Sequence, residues 1–402
     1  MKPIRAMRLC FASLACFLFL GVPDTTAISK SWVGGSGNNW FTGANWGGTY
    51  PQDGDDVTIS GAASVLLTND TALLGSFNIT NATLTCSNWF TRIQATNVWI
   101  RNSGTLTLPN AFTTNGGMMS NRVYLVCTNL TVDRGGKIDA NSKGYAAFYG
   151  PGKGGGVNRG CGAGYGGKGG WGSEGTRGGA YGSASAPTAP GSGGGATGNG
   201  ASTGHGGGAI RIDAAGGTVT VNGTVTANGG NPVGHFGGGS GGGIMISCST
   251  FAGTTNGLIS ANGGDVWPGY GQYGNGAGAG GRIAVIYTTV TGGTAVRFST
   301  ASGTNGWSED QTYSDADCRW LLAAEWGTLY LPNNALLSTT VKNRLFHRTR
   351  LVIPGFSSWA VGSLTVSNCS FQLAESAFTL TVTNNMTIDG GGILRVGMTN
   401  GS

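Results

Sequence analysis

The feature that most constrains this chain is a gapless internal repeat. Gly207-Gly-Ala-Ile210-Arg-Ile212 returns 34 residues later as Gly241-Gly-Gly-Ile244-Met-Ile246, and Val225-Thr-Ala-Asn-Gly-Gly230 returns as Ile259-Ser-Ala-Asn-Gly-Gly264. A further copy follows at a spacing of 39, as Gly280-Gly-Arg-Ile283-Ala-Val285. A later one begins at Gly327-Thr-Leu-Tyr-Leu331, and Ile138-Asp-Ala-Asn141 is an earlier partial copy. A unit of this length, apolar at every second position, cannot bury its own hydrophobic side. It must lie flat on its neighbours, one coil per repeat. Ile210, Ile212, Val225, Ile244, Ile246, Ile259, Ile283 and Val285 are then expected to stack inside, with Arg211, Asp213 and Ser247 outside. Asn-Gly and Gly-Gly pairs supply the positive φ angles of the corners.

The flanking sequence fits the same plan. Asp56-Val-Thr-Ile-Ser60, Ser76-Phe-Asn-Ile-Thr80, Asn97-Val-Trp-Ile-Arg101 and Thr105-Leu-Thr-Leu108 alternate with the period of a half-buried strand, and long helical patterns are almost absent. Short, evenly spaced strands fit a sandwich, a barrel or a solenoid, and the repeat selects the solenoid. The expected fold is all-β: a single-stranded parallel β-helix with Gly-rich loops projecting from one side and an N-terminal Trp-rich cap. A second kind of repeat relates the two ends, Leu74-Gly-Ser-Phe-Asn-Ile79 to Val361-Gly-Ser-Leu-Thr-Val366.

Insertions of unequal length enter after the Ala-Asn position of each copy, at residues 144–206, 231–240, 265–279 and 304–326. Equal phase puts them on one side of the solenoid. Fifty of the 78 Gly fall between Gly150 and Gly281. Such composition buries little surface per residue, so a flexible loop is expected for residues 150–208. The alternative is a stack of extended, polyproline-II-like segments.

The chain opens with Lys2, Arg5 and Arg8, an apolar run from Leu9 to Val22, and Thr25-Thr26-Ala27. That order predicts a signal peptide over residues 1–27. Trp32, Trp40 and Trp46 follow in a distinct segment, 28–56, where they are expected to cover the open end of the solenoid. A carbohydrate platform is the second reading of the same rings. Coils are expected over 57–143, the Gly-rich insertion over 144–208 and the repeats over 209–303. A Gly-poor charged insertion with one strand spans 304–350, and final coils span 351–402. The chain stops soon after Ile393-Leu-Arg-Val396, so either a fragment or an end capped by another chain is expected. No later run is long enough to span a bilayer, so no transmembrane segment is expected in the mature chain.

Beyond residue 27 the balance is 20 bases against 16 acids, too slight a charge to draw nucleic acid, and none is expected as a partner. Cys86, Cys127, Cys161, Cys248, Cys318 and Cys369 could form three disulfides or lie as small buried thiols in the coils. No cofactor or metal is expected. Asp53, Asp55 and Asp56 are the tightest acidic group and read as a turn held by carboxylate–backbone bonds. His205 and His235, 30 residues apart, lack a third ligand.

Asp315, Asp317, Arg319 and His347 form the one mixture of acid, base and cation suited to a glycan site, and they are the candidates for ligand binding. No catalytic residue is assigned, and an enzyme is the less expected outcome.

The W…GxxNNW…ANW…P…DD-V-x-I opening, the GGGxIxI…NGxVxANGG units and GGRIAVIY followed by GTLYL resemble exported bacterial Gly-rich parallel β-helix proteins: autotransporter-like chains and large surface β-solenoids. The resemblance implies a secreted or cell-surface location and a structural or adhesive scaffold. Its partners would be extracellular glycans or other cell-surface chains. Because parallel β-helices also carry polysaccharide lyases and hydrolases, a polysaccharide-binding or polysaccharide-degrading protein is the alternative.

Overall fold

The alternation in the sequence is realised as parallel ladders between successive coils. The computed structural model describes residues 27–113, 119–156, 159–172, 175–195, 204–266, 275–304 and 323–397. In it Ile210 pairs with Ile244, Ile212 with Ile246 and Val225 with Ile259. Ile244 and Ile246 pair onward with Ile283 and Val285. The two spacings, 34 and 39, therefore each equal one full coil.

Two large sheets carry the coils. The first has 13 strands. It runs through Ser29–Ser31, Asp56–Ile59, Leu74–Thr80, Ile93–Arg101, Val123–Val132, Ala209–Val221 and Gly243–Gly253. It continues through Arg282–Ile286, Gly327–Tyr330, Thr349–Val352, Ser370–Leu373 and Ile393–Val396, with Thr289–Val290 as a side pairing. We call this sheet the wall. The second sheet has eight strands, from Ser64–Leu67 to Phe346–His347. Towards the C-terminal end a three-stranded sheet (Thr340–Lys342, Leu364–Ser367, Met386–Asp389) and a two-stranded one (Ser358–Val361, Thr379–Val382) complete the coils. The turn Gly43–Trp46 is the one helical element among the described residues.

Between the sheets lies a single apolar core. Along the wall, Val123, Ile210, Ile244, Ile283, Leu329, Leu351 and Leu373 form one continuous ladder. On the second sheet Val65, Leu84, Leu106, Ile138, Val225, Ile259, Phe298 and Phe346 form another. All of these residues are buried, and each such side chain is worth about 1.5–3 kcal/mol of transfer from water.

The Ala-Asn-Gly corner adds a polar ladder. Asn228 N–H donates to Asn141 Oδ1 at 2.7 Å, Asn262 N–H to Asn228 Oδ1 at 2.8 Å, and Ala301 N–H to Asn262 Oδ1 at 3.0 Å. Each Asn side chain thus satisfies a backbone donor one coil further on, which explains why the repeat retains Asn there. The relation between the chain's two ends is local rather than positional. Leu74–Thr80 lies in the wall and Leu364–Ser367 in the three-stranded sheet, although each turns through an Asn of positive φ (Asn81, 46°; Asn368, 50°).

All four insertions leave from the end of a second-sheet strand and return to the next wall strand, so they share one corner. The described part of 150–208 differs from the flexible loop expected of it. Gly160, Gly162, Gly164, Gly166 and Gly191–Gly195 are buried. Their backbones bond across insertions: Gly276 N–H to Gly160 O (3.0 Å), Gly166 N–H to Gly280 O (2.9 Å) and Gly237 N–H to Gly195 O (2.8 Å). The alternative reading, extended segments packed side by side, describes this array. Close approach is what requires glycine. A Cβ on Gly162 would overlap the Ala277 carbonyl, and one on Gly278 the Gly239 carbonyl. Solvent is excluded because the array is several segments deep, a property that no single segment has.

The N-terminal end is closed by aromatic rings. Trp40 is fully buried, Trp46 stands edge-on to it at 4.9 Å, and Trp32 is edge-on to Trp46 at 5.1 Å. Trp46 Nε1 donates to the Trp40 carbonyl at 2.6 Å. With Trp40 and Trp46 turned inward, these rings act as a cap and offer no flat platform. Cys86, Cys127, Cys248 and Cys369 are buried free thiols. Cys127 and Cys248 lie in wall strands separated by Ala209–Val221, about 9–10 Å apart at the usual strand spacing and beyond disulfide reach.

The array predicts a contrast between glycines. Gly278→Ala should lower the thermal midpoint by several degrees, because backbone must move to admit the methyl group. Gly292→Ala, which has nothing within 4 Å of its added Cβ, should change it little. Thermal denaturation of both variants, followed by circular dichroism, checks this; equal midpoints would mean that the array is not tightly packed.

Candidate functional site

Before each of three successive wall strands the chain turns a corner: residues 68–73, 87–92 and, of the described residues, 119–122. These corners stack because each bonds to the next. Arg92 N–H donates to Asp70 Oδ1 at 2.8 Å, Thr71 N–H to the Arg92 carbonyl at 3.0 Å, and Asn88 N–H to Asn121 Oδ1 at 2.9 Å. Together they form a groove of about 560 Å³ lined by Asp70, Asn88, Phe90, Arg92, Arg122 and Tyr124.

Strand alternation decides which side chains enter it. Val123 and Leu125 point into the core, so Arg122 and Tyr124 project outward. Ile210, Ile212 and Ala214 are buried on the next wall strand, which turns Arg211 and Asp213 to the same outer face. Parallel register sets Arg211 beside Tyr124.

Two of the three guanidinium groups have carboxylate partners. Arg92 Nε donates to Asp70 Oδ2 at 2.9 Å, and Arg211 Nε to Asp213 Oδ2 at 2.9 Å. Tyr124 donates its phenol proton to the same Asp213 oxygen at 2.8 Å. The Arg92–Asp70 pair is more than a third exposed on both sides, so it orders the corner more than it stabilises the fold.

Arg122 differs. Its guanidinium carbon lies 4.3 Å from the Tyr124 ring centre and 4.9 Å from that of Trp89. Only 9% of the residue is exposed, and its buried Nε has no hydrogen-bond partner among the described residues. Burial, and then the neighbouring Arg211 charge, pull its pKa below the usual arginine value. Burial and the bond to Asp213 push the Tyr124 phenol up. At the lip, Phe90 is 77% exposed. A stacked cation beside an open aromatic face can hold a flat or ring-shaped molecule that carries a negative group.

Of the site residues read from the sequence, Asp315, Asp317 and Arg319 lie outside the described residues, as do Trp267, Trp307 and Trp320. His347 ends the last strand of the second sheet, half-buried, with its backbone paired to Ser299. Its imidazole pKa is drawn down to about 4, first by burial and then by Arg348 and Arg344. The three acids near the N-terminal end hold turns: Asp55 accepts from Ile28 and Gln52 N–H, Asp53 from Leu73 N–H, and Asp56 from the Ser76 hydroxyl. His205 Nδ1 accepts from Ala147 N–H at 3.1 Å, which gives it a structural task.

The sequence reading missed the groove. Its signal was present in Trp89-Phe-Thr-Arg92 and Arg122-Val-Tyr124, at the same phase of consecutive coils. Recognising that phase required the first coils to be aligned, and they share no repeat as regular as the central one.

Residues 45–114 match the G8 domain, which is found in extracellular proteins. The match spans the early coils and two of the three corners of the groove. No autotransporter or β-helix family is identified. Neither a curated protein nor a solved structure matches the chain. No helix among the described residues is long and apolar enough to cross a membrane.

His347 provides a test of the local electrostatics. Its folded pKa of about 4 lies below the ordinary value of about 6.5. Between those values the unfolded chain binds more protons than the folded one, so stability falls as pH drops from about 6.5 towards 4. His347→Gln should flatten that part of the pH–stability curve. Urea midpoints at several pH values check it, and an unchanged slope would show that the ring is not held neutral.

Proposed function

We propose that this protein is a secreted or cell-surface structural and adhesive β-solenoid scaffold. The observation that carries the reading is the continuous parallel stack of coils, locked along one corner by the glycine array. Such a stack forms an elongated body whose neighbouring coils are tied by backbone bonds, which suits bearing load and presenting surface. The G8 match over residues 45–114 supports an extracellular setting. The N-terminal charged and apolar run supports export. The two carboxylates beside the groove support the scaffold reading too, since Asp70 and Asp213 are engaged by guanidinium or phenol groups.

A second reading, binding of polysaccharide, is favoured by the groove beside Arg122. For the same reading, Asp315, Asp317 and Arg319, which lie outside the described residues, and His347 are a separate set of candidate contacts.

The scaffold reading predicts location. Expressed at full length in a bacterial host, the chain should appear outside the cytoplasm. A version lacking residues 1–27 should stay inside with the same circular dichroism spectrum. Cell fractionation and immunoblotting decide the matter; cytoplasmic retention of the full-length chain would sink the reading.

A further inference from the structure

We propose that the groove beside Arg122 binds an acidic sugar residue of a polysaccharide, with its carboxylate or sulfate on the Arg122 guanidinium and a sugar face against Phe90. This rests on the polysaccharide-binding reading of the same groove, which it deepens by naming the acidic class of sugar, and it is independent of the scaffold reading.

Charge on this face is unbalanced. The face holds three cations, Arg92, Arg122 and Arg211, and two carboxylates, Asp70 and Asp213. The carboxylates are taken by Arg92 and Arg211. The remaining cation is the most buried of the three, and its Nε finds no acceptor among the described residues. A buried charge without a partner is costly. The rings of Trp89 and Tyr124 and the nearby Asp213 charge offset part of that cost, and an anion that reaches the terminal N–H groups from the groove would offset the rest.

The cation is also preorganised. Trp89 and Tyr124 lie against the guanidinium, and Tyr124 is itself fixed through Asp213. The cation is thus held in place before a ligand arrives, which lowers the ordering cost of binding. An arginine so held presents parallel N–H groups to two oxygens of one acid, whether carboxylate or sulfate.

The surroundings of Arg122 favour a sugar over other anions. Nucleic acid needs many cations in a row, and only one here is without a carboxylate. An extended peptide would need a free strand edge. The wall strands flanking the groove, Ile93–Arg101 and Val123–Val132, are paired on both sides. What the groove offers besides charge is an open aromatic ring, Phe90, and about 560 Å³ of space, within the usual range for small ligands.

The test is calorimetric titration of the purified full-length chain with four probes: a galacturonate trisaccharide, a sulfated cellotriose, neutral cellotriose and a poly-glutamate peptide. One or both acidic trisaccharides should bind, more weakly as salt rises; their ratio identifies the acid. Cellotriose and poly-glutamate should give no comparable signal. Arg122→Gln should weaken binding about tenfold or more, the loss of one charge-assisted contact. Phe90→Ala, at an exposed position, should weaken it several-fold, and it decides the matter if Arg122→Gln misfolds. Equal binding of neutral and acidic sugars would overturn the proposal, as would tighter binding of poly-glutamate, affinity indifferent to both substitutions, or no binding at all. Loss of export would sink the scaffold reading and leave this binding intact.

Discussion

The parallel backbone ladder from one coil to the next is the constraint on which everything else in this protein depends. It sets adjacent strands at a separation of about 4.8 Å. Each residue then stands over its counterpart, whether the two are Ile210 and Ile244 in the core or Asn228 and Asn262 at the corner. Apolar ladders and amide ladders are consequences of the same register. A chain that slipped by one residue would turn every inward side chain outward, and the core would be lost.

The glycine array extends that constraint beyond the strands. Where a second-sheet strand ends, the chain leaves the coil, but the stacking beneath fixes where each excursion starts. Segments that begin one above another can bond to one another, as Gly276 does to Gly160 and Gly237 to Gly195. They approach so closely that a methyl group on Gly162 or Gly278 would meet a carbonyl oxygen. High glycine content, commonly a mark of disorder, here permits packing, because several such segments are brought together at once.

The groove on the outer wall shows how the same regularity builds a site. Alternation places Arg122, Tyr124, Arg211 and Asp213 on one face, and stacked corners add Asp70, Trp89, Phe90 and Arg92. Acids and cations come near each other by register, and most are paired. Arg122 keeps its charge against two aromatic rings instead, at the cost of desolvation. That exception gives the surface its chemical direction.

Much of the architecture was legible in the amino-acid order. The alternation of apolar residues and the 34-residue spacing of Ile210 and Ile244 determined an all-β stack of coils, its inward residues and the common side of its insertions. Those are properties of local periodicity, which a linear reading can measure. Tertiary structure alone decided that the Gly-rich segments pack, since their burial comes from neighbours far away in the chain. It also decided that Asp70, Arg92, Arg122 and Asp213 share one face. Whether a cation is paired depends on distances between coils of unequal length, and no spacing along the chain encodes those distances.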